Sequence, residues 1–566
     1  MDIKKTLSDV IVNELSKQVS LDSDITGLFE LPKNIEFGDL ALPCFTFSKA
    51  LRKSPMEIAK NLSEIEFPSF VTKCTPVGGY LNFYLDKNAY YKSIISGAVL
   101  DKSYGSSKVG VGKKCLIEHS SINPNASPHI GRSRNAIVGD FYVQLLKFEG
   151  YDVDVHYFVN DIGKQISMLV YGALDKEEVK FDDLLNLYVE TNKLVKEDPE
   201  VEKAVFDLLY KLENNDLEVR AKFRKIVDTC IAGQVRILNQ LGVKYDSFDY
   251  ESEFIFNKNV DKILEELKAL NEKEAGIHIE EDEDGRLVIM FDNYKKLTPL
   301  VITRGDKTSL YPLRDICYTI WKGEQGCVKN IVVLGEDQKL YFEQIKTVVS
   351  ELGYQAPEVV HYSFVMLQEG SMSTRNGTVV LLEDFMKMAK EKVLDNLEAN
   401  GRQRNDKLGE AISTGAVKFS IQKTSNDKNV IFDWDSALTF EGCSGPYLQY
   451  TYARISSIMR KITEIKYDLN ELNYEVMELP IEAEIVSTLS TFSSIVSHAV
   501  KEKSPHVIAN YAFNLAKLFS SLYHDASILY EEVEQKKLCR IALMTAVKNV
   551  LTTCMNILGI ECLEEM

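Results

Sequence analysis

The sequence lacks the features that mark membrane, secreted and zinc-binding proteins. None of its 566 residues lie in an uninterrupted apolar run of the ~18 residues that a membrane span requires. Its ten cysteines are scattered, with no CxxC pair and no histidine cluster at metal-ligand spacing, which argues against a zinc module and a disulfide framework. Residues 1–20 have helical spacing without the apolar block of a signal peptide. We therefore expect a cytoplasmic protein with reduced cysteines, no bound metal and no membrane association.

The sequence also has fewer basic than acidic residues. The chain has 66 Lys and Arg against 84 Asp and Glu, a net charge of −18. Because phosphate contacts dominate nucleic-acid binding, this balance by itself disfavours an RNA-binding function. The net charge averages over the whole surface, however, so a local basic groove remains compatible with an acidic remainder.

The order of patterns along the chain predicts three domains, because a chain of this length exceeds one hydrophobic core. Residues 1–105 combine helical patterns with a strand-like segment and predict a small α+β domain. Residues 106–400 alternate between strand and helix patterns, which is typical of a parallel α/β sheet, and contain a helical insertion at about 165–245. Residues 401–566 have helical spacing almost throughout and predict an all-α domain.

The α/β domain opens with a strand at 114–119, a helix at 129–149 and a second strand at 151–159, and the loop after the first strand is a candidate site. Ligands of open parallel sheets bind at the carboxyl ends of the strands, and the first N–H groups of the following helix favour phosphate. This loop ends in His129, Gly131, Arg132 and Arg134. The set suits ATP, because the glycine lets a flat base approach the backbone and the arginines add positive charge. His129 alone would equally fit an ordinary helix cap.

A second polar loop, QEGSMSTRNGTVV at 368–380, follows a later strand of the α/β domain. It presents Ser371, Met372, Ser373, Thr374 and Arg375 before an Asn-Gly turn. By itself, this segment would also fit a plain hairpin.

Together the two loops resemble the two nucleotide-binding signatures of class I aminoacyl-tRNA synthetases. Within that class, the whole chain resembles the arginyl-tRNA synthetase family. FGDLALP resembles that family's additional N-terminal domain, SSINPNASPHIGRSRNAIVGD its first signature, TSLYPLRDI its amino-acid pocket and EGCSGPYLQYTYARI its anticodon-binding bundle, in the family's own order. The resemblance implies a Rossmann-like α/β catalytic domain with a helical insertion, an N-terminal α+β domain that touches the tRNA elbow and an all-α anticodon-binding domain.

The resemblance also implies a reaction and a set of site residues. Arginine would attack the α-phosphorus of ATP, with Mg²⁺ accompanying the nucleotide, and the arginyl group would then pass from the adenylate to tRNA(Arg). The implied catalytic and ATP-binding residues are His129, Gly131, Arg132, Arg134, Met372, Ser373 and Arg375. Those implied to bind arginine are Glu118, Ser120, Asn123, Tyr311, Asp315 and Gln338. Those implied to bind tRNA are Asn82, Phe83, Tyr447, Gln449, Tyr450, Tyr452 and Arg454.

The chemistry of arginine gives some of these residues a specific partner. By resemblance, Tyr311 and Asp315 meet the guanidinium; without it, they would fit a core aromatic and a helix-end carboxylate. Glu118 closes a buried strand, where a carboxylate is costly unless it is paired, and the substrate's ammonium would be a suitable partner. A pocket of this kind rejects citrulline and lysine, so no editing domain is expected.

Two departures from the class pattern concern phosphate binding. Arg132 stands where most class I enzymes have a second histidine, and Ser371 and Thr374 stand where the wider class has lysines. Ala126 occupies a position at which some arginyl enzymes place a substitute lysine. We expect Arg132, Arg134 and Arg375 to supply the missing positive charge.

Three other functions remain as alternatives. A class I synthetase for cysteine or a glutamate-type substrate is disfavoured by TSLYPLRD and the Tyr-rich terminal helix. A non-catalytic RNA-binding relative is suggested only by the missing signature lysines. A nucleotidyl transferase that does not use tRNA would leave both terminal domains unexplained. We expect a monomer, by resemblance to the family.

Overall fold

The computed structural model of the chain describes residues 3–19, 25–32, 35–273, 275–367, 380–399 and 401–566. The chain divides into two units. The first comprises Met1–Ser107, Thr439–Glu502 and Val507–Met566, and the second comprises Lys108–Leu438 and Lys503–His506. The predicted N-terminal and C-terminal domains therefore belong to one unit, while the α/β domain forms the other.

The first unit begins with the predicted α+β arrangement. Its helices here are α1 (Ile3–Leu15), α2 (Ser48–Leu51), α3 (Pro55–Ser63) and α4 (Lys87–Leu100). Its strands are β1 (Leu40–Pro43), β2 (Val71–Val77) and β3 (Tyr80–Leu85), which form an antiparallel sheet in the order β1-β3-β2. Helix α3 shows why the sequence folds this way locally: Ser54 caps the N–H of Glu57 and Pro55 occupies the first turn, where no backbone donor is needed.

The second unit contains the predicted parallel sheet. Its strands are β4 (Lys114–Glu118), β5 (Asp152–Val159), β6 (Ser247–Tyr250), β7 (His278–Glu281), β8 (Leu287–Met290), β9 (Leu300–Val301), β10 (Lys329–Gly335), β11 (Glu358–Tyr362), β12 (Val365–Leu367) and β13 (Val430–Phe432). The main sheet has the order β11-β10-β4-β5-β6, with every neighbouring pair parallel. Cys115, Leu116 and Ile117 of its central strand β4 are all buried, as expected for a strand covered on both faces.

The helices of the second unit confirm the predicted crossover and insertion. They are α5 (Ile130–Phe148), α6 (Lys164–Gly172), α7 (Leu184–Glu197), α8 (Pro199–Glu213), α9 (Leu217–Asn239), α10 (Glu253–Phe256), α11 (Asn259–Ala269), α12 (Tyr311–Gly323), α13 (Lys339–Glu351), α14 (Leu382–Ala399), α15 (Asp406–Gln422) and α16 (Trp434–Leu438). Helices α6 to α9 form the insertion, with Met168, Val195 and Val205 in a core of their own. The strands β7, β8 and β9 form a separate antiparallel sheet.

The C-terminal helices begin later than the sequence suggested. Residues 401–438 belong to the second unit, so the predicted boundary at 401 lies near 438 in the structure. A buried ion pair joins this segment to the parallel-sheet domain: Nζ of Lys418 in α15 lies 2.8 Å from Oδ2 of Asp140 in α5. Side chains that share a core in this way fold together, whatever their helical pattern predicts.

The remaining helices complete the first unit. They are α17 (Gly445–Lys461), α18 (Pro480–Ser490), α19 (Phe492–Glu502), α20 (His506–Asp525) and α21 (Glu534–Ile557). Among the described residues, α21 alone has the length and apolar composition of a membrane span, and 67% of its most apolar window is buried within the protein. Such burial is typical of a core helix.

Candidate active site

The fold brings the loops after β4 and β10 to one edge of the parallel sheet. The strand order reverses at β4, because β5 and β6 lie on one side of it and β10 and β11 on the other. Ligands of such sheets bind outside the carboxyl ends of the strands at this point. Glu118 ends β4, Ser120, Asn123 and His129 follow it, and Gln338 follows β10 at the start of α13. These predicted residues therefore lie along the same edge.

His129 precedes helix α5, and its ring position depends on the glycine two residues later. The backbone of His129 is extended (φ −89°, ψ 160°), and the helix begins at Ile130. A Cβ atom at Gly131 would lie 2.9 Å from Cε1 of the His129 ring. Burial, together with the neighbouring charge of Arg132, lowers the pKa of His129, so the ring is neutral at pH 7. Gly131 thus makes room for a neutral histidine, a reason that the sequence pattern did not suggest.

The two arginines of the first signature have different surroundings. Arg132 is partly exposed, and its side chain makes no hydrogen bond or ion pair to a residue that the structure describes. Arg134 is completely buried, and its Nη1 donates to the carbonyl oxygens of Ser363 and Lys428, both at 2.7 Å. Its Nη2 donates to the carbonyl of Ser425 at 2.9 Å. The guanidinium of Arg134 therefore binds backbone carbonyls of the protein itself, and its contribution to phosphate binding stays a prediction.

The second predicted signature lies outside the described residues. It comprises Ser371, Met372, Ser373, Thr374 and Arg375. The backbone that follows it pairs with the first signature: the N–H of Ile130 donates to the carbonyl of Val380 at 3.0 Å, and that of Leu382 to the carbonyl of Pro128 at 2.8 Å. The end of one predicted signature segment is therefore joined to the start of helix α5.

Ser120 and Asn123 have protein partners of their own. Ser120 has a left-handed backbone (φ 69°), and its hydroxyl accepts a hydrogen bond from Tyr245 at 2.6 Å. Its N–H donates to Oδ1 of Asn135, also at 2.6 Å. Ser120 is buried and shapes the turn after β4, and its contact with the substrate stays a prediction. Asn123 is exposed, and its Oδ1 accepts a hydrogen bond from Asn160 at 2.8 Å. Its side chain therefore remains accessible to a substrate at the carboxyl edge of the sheet.

Glu118 ends β4 with a buried carboxylate whose partner is a lysine. Its Oε2 accepts a hydrogen bond from Nζ of Lys322 in α12, and its Oε1 accepts from the hydroxyl of Ser121 at 3.2 Å. This pair explains how a carboxylate can end a buried strand. Lys322 is thus the partner of Glu118 in the structure, and a contact between Glu118 and the substrate's ammonium stays a prediction.

Helix α12 presents a polar stripe toward the carboxyl edge of the sheet. The stripe consists of Tyr311, Asp315, Tyr318 and Lys322, whose spacing of four, three and four residues places them on one side of the helix. The Tyr318 ring stacks on Phe158 of β5 with centroids 4.2 Å apart, and Lys322 reaches the end of β4. At the other end, Tyr311 is 57% exposed. The stripe therefore runs from the solvent to the floor of the site.

Asp315 is the carboxylate of this stripe, and it is not paired with a cation of the described part of the chain. The Tyr341 hydroxyl donates to its Oδ2 at 2.5 Å, and no lysine or arginine among the described residues forms an ion pair with it. Burial, reinforced by the charges of Glu251 and Glu118, raises the pKa of Asp315 to about 7, although Tyr341 and Arg314 act in the opposite direction. A bound cation would stabilise the ionised form of this group.

Glu251 is a site residue that no sequence pattern singled out. It directly follows β6 and is buried, and its Oε1 accepts from Nε of Arg314 at 2.5 Å. The preceding parallel strand contributes Asp161, whose carboxylate accepts from the N–H and hydroxyl of Ser252 at 2.8 and 2.6 Å. Both acidic residues follow strands at the carboxyl edge. The rule that located the site after β4 also applies to Asp161, which follows the predicted strand β5, and it would have found Glu251 if β6 had been predicted as a strand.

The geometry has a counterpart in known proteins. Residues 94–434 match the family of class I (R) tRNA synthetase catalytic domains, 448–566 the DALR anticodon binding domain and 3–85 the arginyl tRNA synthetase N terminal domain. The arginine–tRNA ligase of Methanocaldococcus jannaschii is 36% identical over 99% of both chains. The chain belongs to the class I arginyl-tRNA synthetase family.

Other members of the family agree with this assignment. The arginine–tRNA ligase of Clostridium acetobutylicum is 33% identical and covers 100% of both chains. The structure of Thermus thermophilus arginyl-tRNA synthetase has the same fold, with a TM-score of 0.81, 24% identity and full coverage of both chains. The predicted fold class is thus confirmed. The matched catalytic region ends at 434 and the anticodon-binding region begins at 448, on either side of the boundary near 438.

Helix α17 of this arginyl-tRNA synthetase family member exposes part of the predicted tRNA-facing set. Tyr447, Tyr450 and Arg454 are partly exposed and lie on one side of the helix. Nη2 of Arg454 donates to the Tyr450 hydroxyl at 2.6 Å, and its guanidinium lies 5.0 Å from the ring centroid of Tyr523. An arginine between aromatic rings suits the stacking of unpaired bases.

The other members of the predicted tRNA-facing set lie in the interior of their unit. Gln449 and Tyr452 are 0% and 6% exposed, and Phe83 and Asn82 are 0% and 4% exposed. The Phe83 ring packs 5.2 Å from that of Phe67 in the core of the N-terminal sheet. These four side chains are therefore buried within their unit, whereas Tyr447, Tyr450 and Arg454 are partly exposed. The tRNA contacts of all seven residues stay predictions.

Proposed function

We propose that the protein ligates L-arginine to tRNA(Arg) with ATP, through an arginyl-adenylate, and releases AMP and pyrophosphate. The observation that carries this proposal is Asp315, a carboxylate that forms no ion pair with any residue the structure describes and lies beside the buried Glu251, one helical turn after the exposed Tyr311. A guanidinium supplies a delocalised charge and planar donors, which suit such a group and a neighbouring tyrosine hydroxyl. Citrulline would leave Asp315 unpaired, which favours discrimination by binding alone.

Adenylate formation needs no side-chain nucleophile. The carboxylate of arginine attacks the α-phosphorus of ATP, which enters as its magnesium complex, so the protein has to position the reactants and stabilise the phosphate charge. Three features support ATP at the start of α5: the first N–H groups of the helix, the neutral ring of His129 and the side chain of Arg132. Met372, Ser373 and Arg375 remain proposed ATP contacts on sequence grounds alone.

The second step transfers the arginyl group to the terminal adenosine of tRNA, at the 2′-hydroxyl in class I enzymes. The partly exposed Tyr447, Tyr450 and Arg454 support α17 as a surface for unpaired anticodon bases. In solution we expect a cytoplasmic monomer in which arginine activation requires bound tRNA, and no membrane association.

The test of this function is ATP–pyrophosphate exchange with each of the twenty amino acids, with and without bulk tRNA. We expect exchange with arginine alone, and only when tRNA is present. Exchange with another amino acid would show that the protein has a different substrate. The absence of exchange with every amino acid under both conditions would indicate a non-catalytic relative.

The proposed phosphate contact of Arg132 has a separate test. Arg132→Ala should raise the KM for ATP or lower kcat of exchange by roughly tenfold to a hundredfold, as expected for the loss of one charged contact. The matched control is Arg286→Ala, because Arg286 is an exposed arginine paired with Asp282 on the surface of the same unit. Equal activities of the two variants would remove Arg132 from the ATP site.

A further inference from the structure

Five charged side chains, three carboxylates and two cations, surround the base of the proposed arginine pocket. Glu118 is paired with Lys322, and Glu251 is paired with Arg314. Asp315 is the third carboxylate and has no cation of its own among the described side chains. The group therefore carries one uncompensated negative charge when Asp315 is ionised, which matches the single positive charge of a guanidinium.

The ammonium of Lys322 is confined to its place in this group. The Lys322 side chain is 1% exposed, so it has no alternative position in the solvent. Its Nζ also lies 4.3 Å from the ring centroid of Tyr318, and that ring is stacked on Phe158. An ammonium over an aromatic face and against a carboxylate is stabilised from both sides.

We propose that Lys322 is a positioning residue for arginine recognition, whose ammonium balances Glu118 so that Asp315 is the carboxylate left free for the guanidinium. The inference rests on the proposed function and deepens it. In this role Lys322 does not touch the substrate. It sets the charge of the pocket through Glu118, and the pocket thereby accepts a side chain with one positive charge.

The proposal has a consequence for the ionisation of Asp315. The groups that face Asp315 are Tyr341 from α13, Glu251 after β6, Glu118 at the end of β4 and Arg314 on its own helix. Lys322 is seven residues further along α12, about 10 Å by the rise of a helix. At an effective dielectric constant of about 20, a unit charge at that distance shifts an ionisation by about one pH unit. Removal of Lys322 leaves Glu118 unbalanced and disfavours the ionised form of Asp315, while removal of Glu118 does the opposite.

The experiment measures kcat/KM for arginine against pH, using ATP–pyrophosphate exchange by the full-length protein with tRNA. For Lys322→Met, the acidic limb of the kcat/KM profile should shift to higher pH by about one unit. For Glu118→Gln, it should shift to lower pH by about the same amount. The double variant, which has neither charge, should return close to the wild-type limb. Lys322→Arg should keep that limb, and Lys262→Met, at a surface lysine of the same unit, should not move it.

Each result separates this inference from the proposed function. Wild-type protein without arginine-dependent exchange at any pH would overturn both. If the wild-type protein shows exchange but the acidic limb lies at the same pH in all variants, the role of Lys322 would be overturned and the proposed function would stand. If Lys322→Met does not fold, Glu118→Gln and the double variant still decide the matter, because they differ only at residue 322, which is charged lysine in the first and uncharged methionine in the second. A double variant with the same limb as Glu118→Gln would overturn the inference.

Discussion

The main effect of replacing Arg134 by methionine should be a lower free energy of unfolding of the second unit, Lys108–Leu438 and Lys503–His506. Any effect on ATP binding should be smaller. The guanidinium of Arg134 is completely buried, and it donates to the carbonyls of Ser363, Ser425 and Lys428 at 2.7–2.9 Å. These carbonyls belong to the turns before β12 and before β13, so one side chain from α5 holds two other segments. Burial lowers the pKa of Arg134 to about 10, which leaves it charged at neutral pH.

The magnitude of this effect follows from the carbonyls that lose their donor. A buried polar group without its hydrogen bond costs about 1–3 kcal/mol, and a methionine side chain fills similar space without donating. Three such bonds, allowing for relaxation of the turns, give a loss of about 3–5 kcal/mol in the free energy of unfolding. With a urea dependence of about 3 kcal/mol per molar, the unfolding midpoint should fall by about 1 M or somewhat more.

Tryptophan fluorescence during urea unfolding measures this change in the relevant unit. The chain has two tryptophans, and both Trp321 and Trp434 lie in the unit that contains Arg134. The control is Arg286→Met, where the guanidinium is exposed and its ion pair with Asp282 is screened by solvent, so little change is expected. Arg134→Lys, which keeps the charge but reaches fewer carbonyls, should give an intermediate midpoint.

The opposite pattern would refute this reasoning. If Arg134→Met unfolded at the same urea concentration as the Arg286→Met control but lost ATP-dependent exchange, the guanidinium would serve the nucleotide. The predicted role of Arg134 as a phosphate-binding cation would then be supported, and the carbonyl contacts would have little energetic importance.

Three further predictions concern the substrates. Ionised Asp315 is the form that binds guanidinium, and its pKa is raised to about 7, so kcat/KM for arginine should rise about tenfold per pH unit below pH 7 and level off above it. Asp315→Asn should lower kcat/KM for arginine by about a hundredfold or more and should abolish this pH dependence. Gly131→Ala should displace the His129 ring and lower the exchange rate about tenfold, while Gly27→Ala, where a Cβ meets no atom within 4 Å, should not. Arg454→Ala should weaken tRNA binding about tenfold without changing the KM for ATP.

Each of these has a contradicting result. A flat arginine profile between about pH 5.5 and 7 would show that Asp315 is ionised throughout that range or does not bind the substrate. Wild-type exchange by Gly131→Ala would mean that the His129 ring moves without consequence. Unchanged tRNA binding in filter assays of Arg454→Ala would remove the exposed side of α17 from the tRNA surface.

Patterns with short sequence spacing were sufficient to predict much of this protein. The parallel sheet, the crossover through β4, α5 and β5, and the helical insertion all follow from hydrophobic periodicity, which depends on residues within a few turns of each other. Once periodicity had located β4, the site could be placed after it, because ligands of parallel sheets bind at the carboxyl ends of their strands. The resemblance of TSLYPLRDI to the family's pocket also selected Tyr311 and Asp315 before their surroundings were known.

The partners of charged side chains were decided only by the tertiary structure. Glu118 meets a lysine 204 residues away, and Arg134 meets a carbonyl 294 residues away. Similarly, residues 401–438 belong to the second unit, where Lys418 pairs with Asp140, although their helical pattern resembles that of the C-terminal helices. Periodicity shows that a residue lies on one face of a helix or strand, but the free energy of a buried charge depends on which opposite charge or dipole packs against it. That contact is set by the folding of distant segments onto one another.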